Sequence, residues 1–218
     1  MADFEIILGN KAHSSWSLRG WLALKLSGVA FDEQVIPLYR PDSKQRLLAH
    51  APAGKVPILR HGELVIWDSL AIAEYLAEIV PEAGLWPDDR HARAHARTIV
   101  AEMHVGFEAL RNHMPMDLRK RYPGRDWAPA VAQDVARIVQ IWTDCRARFG
   151  AGGAFLFGQP CYADAAFAPV AARFATYGVE LPAAAAAYRD AVMAWPPIQE
   201  WIAAAEREPW VIEFPEGP

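Results

Sequence analysis

The pattern of the chain changes at about residue 82, and that change limits the possible fold more than any other feature. Up to there, β-rich runs alternate with helical ones. Phe4-Glu5-Ile6-Ile7-Leu8-Gly9 reads as a strand stopped by the turn pair Gly9-Asn10. Residues 16–27 read as a helix whose broad apolar face is made by Trp16, Leu18, Trp21, Leu22, Leu24 and Leu26, with Ser27-Gly28 as its stop. Phe31–Leu38 is a second strand, and Pro41-Asp42-Ser43 opens a short helix through Leu48. Val56–Arg60 and Leu64–Trp67 flank the tight turn His61-Gly62-Glu63 and form a hairpin. Asp68-Ser69 opens a helix to about Val80, stopped by Pro81. The order β-α-β-α-β-β-α predicts a mostly parallel sheet with an antiparallel edge.

After residues 83–90, which read as a linker, the strand signal mostly vanishes. Helices are expected over about 89–112, 128–149, 162–176, 183–194 and 197–206, punctuated by Pro115, Pro123, Gly150–Gly153, Gly178 and Pro196-Pro197. The fold class is therefore α/β plus all-α. Its expected division is 1–82, a linker at 83–90, and an all-helical unit over 91–218.

Of the 218 residues, 53% are hydrophobic and 22% charged, enough to bury a core and too apolar for a disordered chain. Residues 1–82 carry 8 Lys/Arg and 10 Asp/Glu, and residues 83–218 carry 14 and 16. Each part has a net charge of −2, so neither offers the basic footprint of a nucleic-acid binder. No apolar run approaches the roughly 18 residues of a membrane span. The start, Met1-Ala2-Asp3-Phe4-Glu5, is acidic and lacks the positive region of a signal peptide. Cys145 and Cys161 are far apart and in no CxxC, which fits a reducing cytoplasm. His91 and His95 have metal-ligand spacing, but Arg90, Arg93 and Arg97 around them would repel a cation, and no metal is expected.

Three stretches can carry chemistry. In His13-Ser14-Ser15-Trp16-Ser17-Leu18-Arg19 a serine at a helix start ordinarily caps it. A hydroxyl there, beside the positive end of a helix, can also stabilise the thiolate of a ligand. In Lys55-Val56-Pro57 a proline opening a strand after a β-branched residue is compatible with a cis peptide. The main chain of Val56 would then be free to pair with an extended peptide. In Trp67-Asp68-Ser69 a strand gives way to a helix. Asp68 or Ser69 can simply cap it; equally, the helix start can take a carboxylate while Asp68 takes an ammonium. Together the three would recognise a peptide with an α-amino acid at one end and a thiol near the other, which describes glutathione.

On these residues the chain resembles the glutathione S-transferase family. The most specific part is Ala53-Gly54-Lys55-Val56-Pro57-Ile58-Leu59, about ten residues before Asp68-Ser69-Leu70-Ala71-Ile72-Ala73-Glu74-Tyr75-Leu76. The resemblance implies a thioredoxin-like N-terminal domain followed by a helical bundle, with glutathione as co-substrate. It implies Ser14 as the catalytic hydroxyl, five residues before Arg19, with Ser15 as its close competitor. Val56 would pair with the cysteinyl main chain beside cis Pro57, Asp68 and Ser69 would hold the γ-glutamyl end, and Lys55 is the candidate for the glycyl carboxylate. A pocket for a hydrophobic electrophile is expected around Trp16, His104, Phe107, Arg111, Met114 and Met116, although core packing is the plainer role for Phe107. A homodimer is implied as well.

The run Ser14–Arg19 is similar to the zeta class, which includes maleylacetoacetate isomerases, but that class has cysteine where Trp16 stands. The N-terminal part has no cysteine, which argues against classes that exchange thiols. Glutathione transfer is the first reading; glutathione-dependent cis–trans isomerisation and a non-catalytic binding module stand as alternatives. In Gly158–Asp164 a further resemblance places Cys161 at a helix cap, where the family has Ser or Thr, with Asp164 bonding back to its N–H.

Overall fold

A computed structural model describes residues 2–124 and 126–212. The start read from Met1 and the far end of the 91–218 span, residues 213–218, lie outside the described residues.

The first part holds β1 (Phe4–Leu8), α1 (Ser15–Ser27), β2 (Phe31–Val35), α2 (Ser43–Leu48), β3 (Ile58–His61), β4 (Leu64–Trp67) and α3 (Ser69–Ile79). The seven elements come in the expected order. α1 ends where Gly28 adopts φ 72° and returns its N–H to the Leu24 carbonyl, a conformation that costs glycine least. Gly62 turns the β3–β4 hairpin at φ 58°.

The sheet order is β2-β1-β3-β4. Only β1–β2 is parallel; β1–β3 and β3–β4 are antiparallel. The expectation of a mostly parallel sheet is thus corrected. The 22 residues between Val35 and Ile58 are enough for a return in either direction, since a parallel crossover needs only about a dozen. The alternation of elements therefore leaves the direction open, and β3 pairs with β1 antiparallel, Ile6 opposite Leu59.

The second part holds α4 (Arg90–Val105), α5 (Glu108–His113), α6 (Pro129–Phe149), α7 (Tyr162–Tyr177), α8 (Ala183–Ala194) and α9 (Pro196–Arg207). The single helix expected over 89–112 is two. Phe107 takes φ 60° between them, and a Cβ on Gly106 would lie 2.7 Å from the Glu102 carbonyl oxygen. Arg111, from α5, covers the orphan carbonyls at the end of α4, donating from Nε to Gly106 O at 2.9 Å and from Nη2 to Met103 O and His104 O.

α7 is buried on nearly every side, and α1 packs across it, so one core runs from the sheet into the helices. Cys161 caps α7. The Asp164 carboxylate accepts its N–H at 2.9 Å and those of Leu156 and Tyr188 O–H at 3.1 and 3.0 Å. Burial, partly offset by these bonds, raises the Asp164 carboxyl to about 6.

The loop before α1 is tied to a distant segment. Glu208 accepts the N–H groups of Lys11 at 2.9 Å and Ala12 at 3.2 Å, and Trp201 donates to the Lys11 carbonyl. Arg119 holds the same segment through the carbonyls of Ala205, Glu208 and Trp210.

Candidate functional site

The start of α1 carries Ser14 and Ser15, both buried. Ser14 is the N-cap: its oxygen accepts the Ser17 N–H at 3.2 Å and lies 2.9 Å from Ser17 Oγ, which also takes the Gly9 N–H. The capping role expected of a serine here is real. The Ser15 hydroxyl has no hydrogen-bond partner among the described residues.

Facing this helix start, the Val56–Pro57 peptide is cis. Val56 precedes β3, and its N–H and C=O enter no main-chain hydrogen bond among the described residues. The loop before it is held by Lys44, whose Nζ donates to Ala53 O and Gly54 O at 3.1 and 3.2 Å. Helix α1 reaches Pro57 only because Gly20 has no side chain: a Cβ there would lie 2.7 Å from the proline Cγ.

Asp68 caps α3 at φ 82°, with Oδ1 taking the Leu70 N–H at 2.8 Å and that of Ala71 at 3.4 Å. Its other oxygen meets His104 Nε2 at 3.1 Å, a bridge from sheet to helices. Burial pushes this carboxyl up, but the bonds from His104 and Leu70 outweigh it and leave it below its ordinary value. A non-glycine residue at such a φ is a strained position of the kind that clusters at functional sites. Ser69 is fully buried, and its hydroxyl has no partner among the described residues.

These residues line one cavity of about 1160 Å³, a little above the roughly 300–1,000 Å³ of most small-molecule sites. Ser14, Ser15, Trp16, Lys55, Val56, Pro57, Asp68 and Ser69 enter it from the first part of the chain, and His104, Arg111 and Met116 from the second. Phe107 and Met114 are not brought there; both are buried in the core. The αL turn at Phe107 carries that residue into the core, and the Met114 carbonyl serves Arg173 Nε at 2.7 Å.

Lys44 and Arg173 line the cavity and were missed by sequence reasoning. Arg173 had a signal: it is one of only two charged residues in Tyr162–Tyr177, the other being Asp164. Trp16 lies among cations, with Arg19 and Arg111 at 4.5 and 4.9 Å from its ring and the His104 ring edge-on at 5.0 Å. Among the described residues no cluster of three His, Cys, Asp or Glu could hold a metal ion.

The geometry defines a class: a mixed four-stranded sheet that offers a free main-chain segment beside a cis proline and opposite a helix start, closed by a helical bundle. The comparisons give the family. Residues 13–79 match the glutathione S-transferase N-terminal domain and residues 92–204 the C-terminal domain. A maleylacetoacetate isomerase of Pseudomonas aeruginosa is 30% identical over 181 residues, covering 78% of this chain and 82% of its own length. A probable maleylacetoacetate isomerase of Caenorhabditis elegans is 37% identical over 112 residues, 51% of this chain and 52% of its own. The chain thus spans about half the length of that relative. A crystal structure of a glutathione transferase homologue from Burkholderia BGR1, with bound glutathione, has the same fold, with a TM-score of 0.71 at 23% identity over 94% of this chain and 98% of the other. The chain belongs to the glutathione S-transferase family.

Proposed function

We propose that the protein is a glutathione transferase, joining the thiolate of glutathione to an electrophilic carbon of a small molecule. The observation that carries this reading is the meeting, in one cavity, of two serine hydroxyls at a helix start, the open main chain of Val56 and the Asp68–Ser69 helix cap. Val56 pairs with the cysteinyl main chain as an added strand. Asp68 holds the γ-glutamyl ammonium, while the Ser69 hydroxyl and the first N–H groups of α3 take the carboxylate beside it. Lys55, exposed at the rim, meets the glycyl carboxylate. At the other end, the Ser14 hydroxyl, with Ser15 next to it, donates to the sulfur. This donor and the positive end of α1 favour the thiolate. While the thiol pKa lies above about 8, each unit by which it falls raises the reactive fraction at neutral pH nearly tenfold.

Titration calorimetry with glutathione on the parent and on Asp68→Asn tests the reading. Asparagine keeps the cap and removes the charge. A charge-assisted hydrogen bond of about 1.5–3 kcal/mol corresponds to an affinity loss of roughly 10- to 100-fold. No uptake by the parent at millimolar glutathione refutes the function. In a parent that binds, Ser14→Ala should lower turnover with little loss of glutathione affinity; an unchanged rate moves the role to Ser15.

Isomerisation is the second reading, favoured by the isomerase names of the relatives and opposed by the Trp16 indole in the pocket wall. The same proposal includes residues 1–82 as the glutathione-binding unit and 91–218 as the unit that contributes the electrophile pocket, joined by 83–90. It also includes a cytoplasmic setting, consistent with two free buried cysteines, a part in detoxification, and a homodimer, to be read from sedimentation.

A further inference from the structure

Three arginines cluster about Trp16: Arg19 and Arg111 lie against its ring, and Arg173 is near enough to both for their charges to oppose one another. Arg19 comes from α1, Arg111 from α5 and Arg173 from α7, and none of them forms an ion pair among the described residues. Arg19 and Arg173 are almost fully buried. Arg19 spends only Nε, on the Ala166 carbonyl at 2.9 Å; among the described residues its Nη1 and Nη2 have no partner. Arg173 donates from Nε to Met114 O and from Nη1 to Pro169 O at 3.2 Å, which leaves Nη2 unused. Arg111 donates from Nε and Nη2 to the end of α4, which leaves Nη1 unused. Arg111 and Arg173 line the cavity; Arg19 stands behind the indole.

The carboxylates nearest to them are engaged elsewhere. Asp68 serves His104 and the α3 cap, and Asp134 accepts the Leu110 N–H at 2.9 Å. Burial and the neighbouring Arg111 and Arg173 lower the Arg19 guanidinium to about 9. Burying like charges together is expensive unless a counter-charge joins them. Capping of carbonyls accounts for part of each guanidinium. It does not account for the unused donors, which on arginine form a fork suited to a carboxylate.

We propose that the second-substrate side of the cavity is an anion site, in which Arg111 and Arg173 hold a carboxylate carried by the electrophile. The apolar body of that molecule lies along Pro115 and Met116, which line the same cavity. This rests on the transferase reading, and it replaces a purely hydrophobic electrophile with an acidic one.

The test compares two conjugates of glutathione, S-(4-carboxy-2-nitrophenyl)glutathione and its aryl methyl ester, which differ by one charge. Calorimetry on the full chain reads their affinities and needs no turnover. The acid is expected to bind at least tenfold more tightly than the ester, and the ratio should drop at least fivefold in Arg111→Gln and in Arg173→Lys, each checked for folding by circular dichroism. A parent ratio near one overturns the anion site. So does a high ratio that both folded variants retain. If Arg111→Gln weakens glutathione itself while the aryl charge makes no difference, the arginines hold a carboxylate of glutathione and the inference fails. If glutathione and both conjugates fail to bind, the transferase reading falls first and takes this one with it.

Discussion

Replacing Gly20 by alanine tests how closely α1 must approach the proline loop. Glycine inside a helix costs about 1 kcal/mol relative to alanine, so helix propensity alone says that Gly20→Ala should stabilise. The structure says otherwise. The new Cβ would lie 2.7 Å from Pro57 Cγ and 2.9 Å from Pro57 Cβ. A pyrrolidine ring cannot rotate out of the way, so α1 must back off by roughly 1 Å to restore ordinary contact. Overpacking of this kind costs about 1–3 kcal/mol. Set against the propensity gain, this leaves a net loss of about 0–2 kcal/mol, up to about 8 °C in melting temperature for a chain of this size, instead of the stabilisation that propensity alone gives. The same displacement moves Ser14 and Ser15 away from Val56, and errors of about 1 Å at a site can cost on the order of 100-fold in rate. Urea and thermal denaturation read the first effect; conjugation rate at saturating glutathione reads the second. A Gly20→Ala protein that melts above the parent and keeps its rate would refute the close-approach argument.

The cap of α7 gives a prediction of opposite sign. Sulfur is a poor acceptor, so Cys161→Ser should stabilise by about 0.5–1 kcal/mol; a lower denaturation midpoint for the serine protein contradicts it. Asp164 gives a pH dependence. Its carboxyl is raised in the folded protein to about 6 from 3.8, so the folded state binds the proton more tightly. The stability from that proton is complete below about pH 4 and is lost as pH rises through 6. Between pH 7 and 5 the parent should gain about 1 kcal/mol relative to Asp164→Asn, seen as diverging urea midpoints; parallel midpoints would show that Asp164 is not raised.

Much of the fold was legible because it is periodic. The apolar stripe of residues 16–27 and the β-rich runs at 4–9 and 64–67 mark α1, β1 and β4 within a residue or so. Sheet direction was not legible from the alternation of elements, because the connection from β2 to β3 is long enough to return the chain either way. Nor was the break between α4 and α5: nothing local to Gly106-Phe107 announces that Arg111, several residues on, will cover the carbonyls that the break exposes. The same limit applies to the cavity. The motif segments at 14–15, 55–57 and 68–69 are contiguous and could be read singly, and the structure brings them to one cavity. Pairings such as His104 with Asp68, or Arg19 with Trp16, Arg111 and Arg173, join elements whose packing no local pattern encodes.

The bonds from Glu208 to Lys11 and Ala12 span 197 and 196 residues. On a ribosome adding about 5–20 residues per second, the loop that presents the serines waits roughly 10–40 s for the carboxylate that fixes it. Through that interval the nascent N-terminal part can build its sheet, but its helix mouth lacks its anchor. The geometry of that helix start is therefore complete only once 197 further residues have been added behind Lys11.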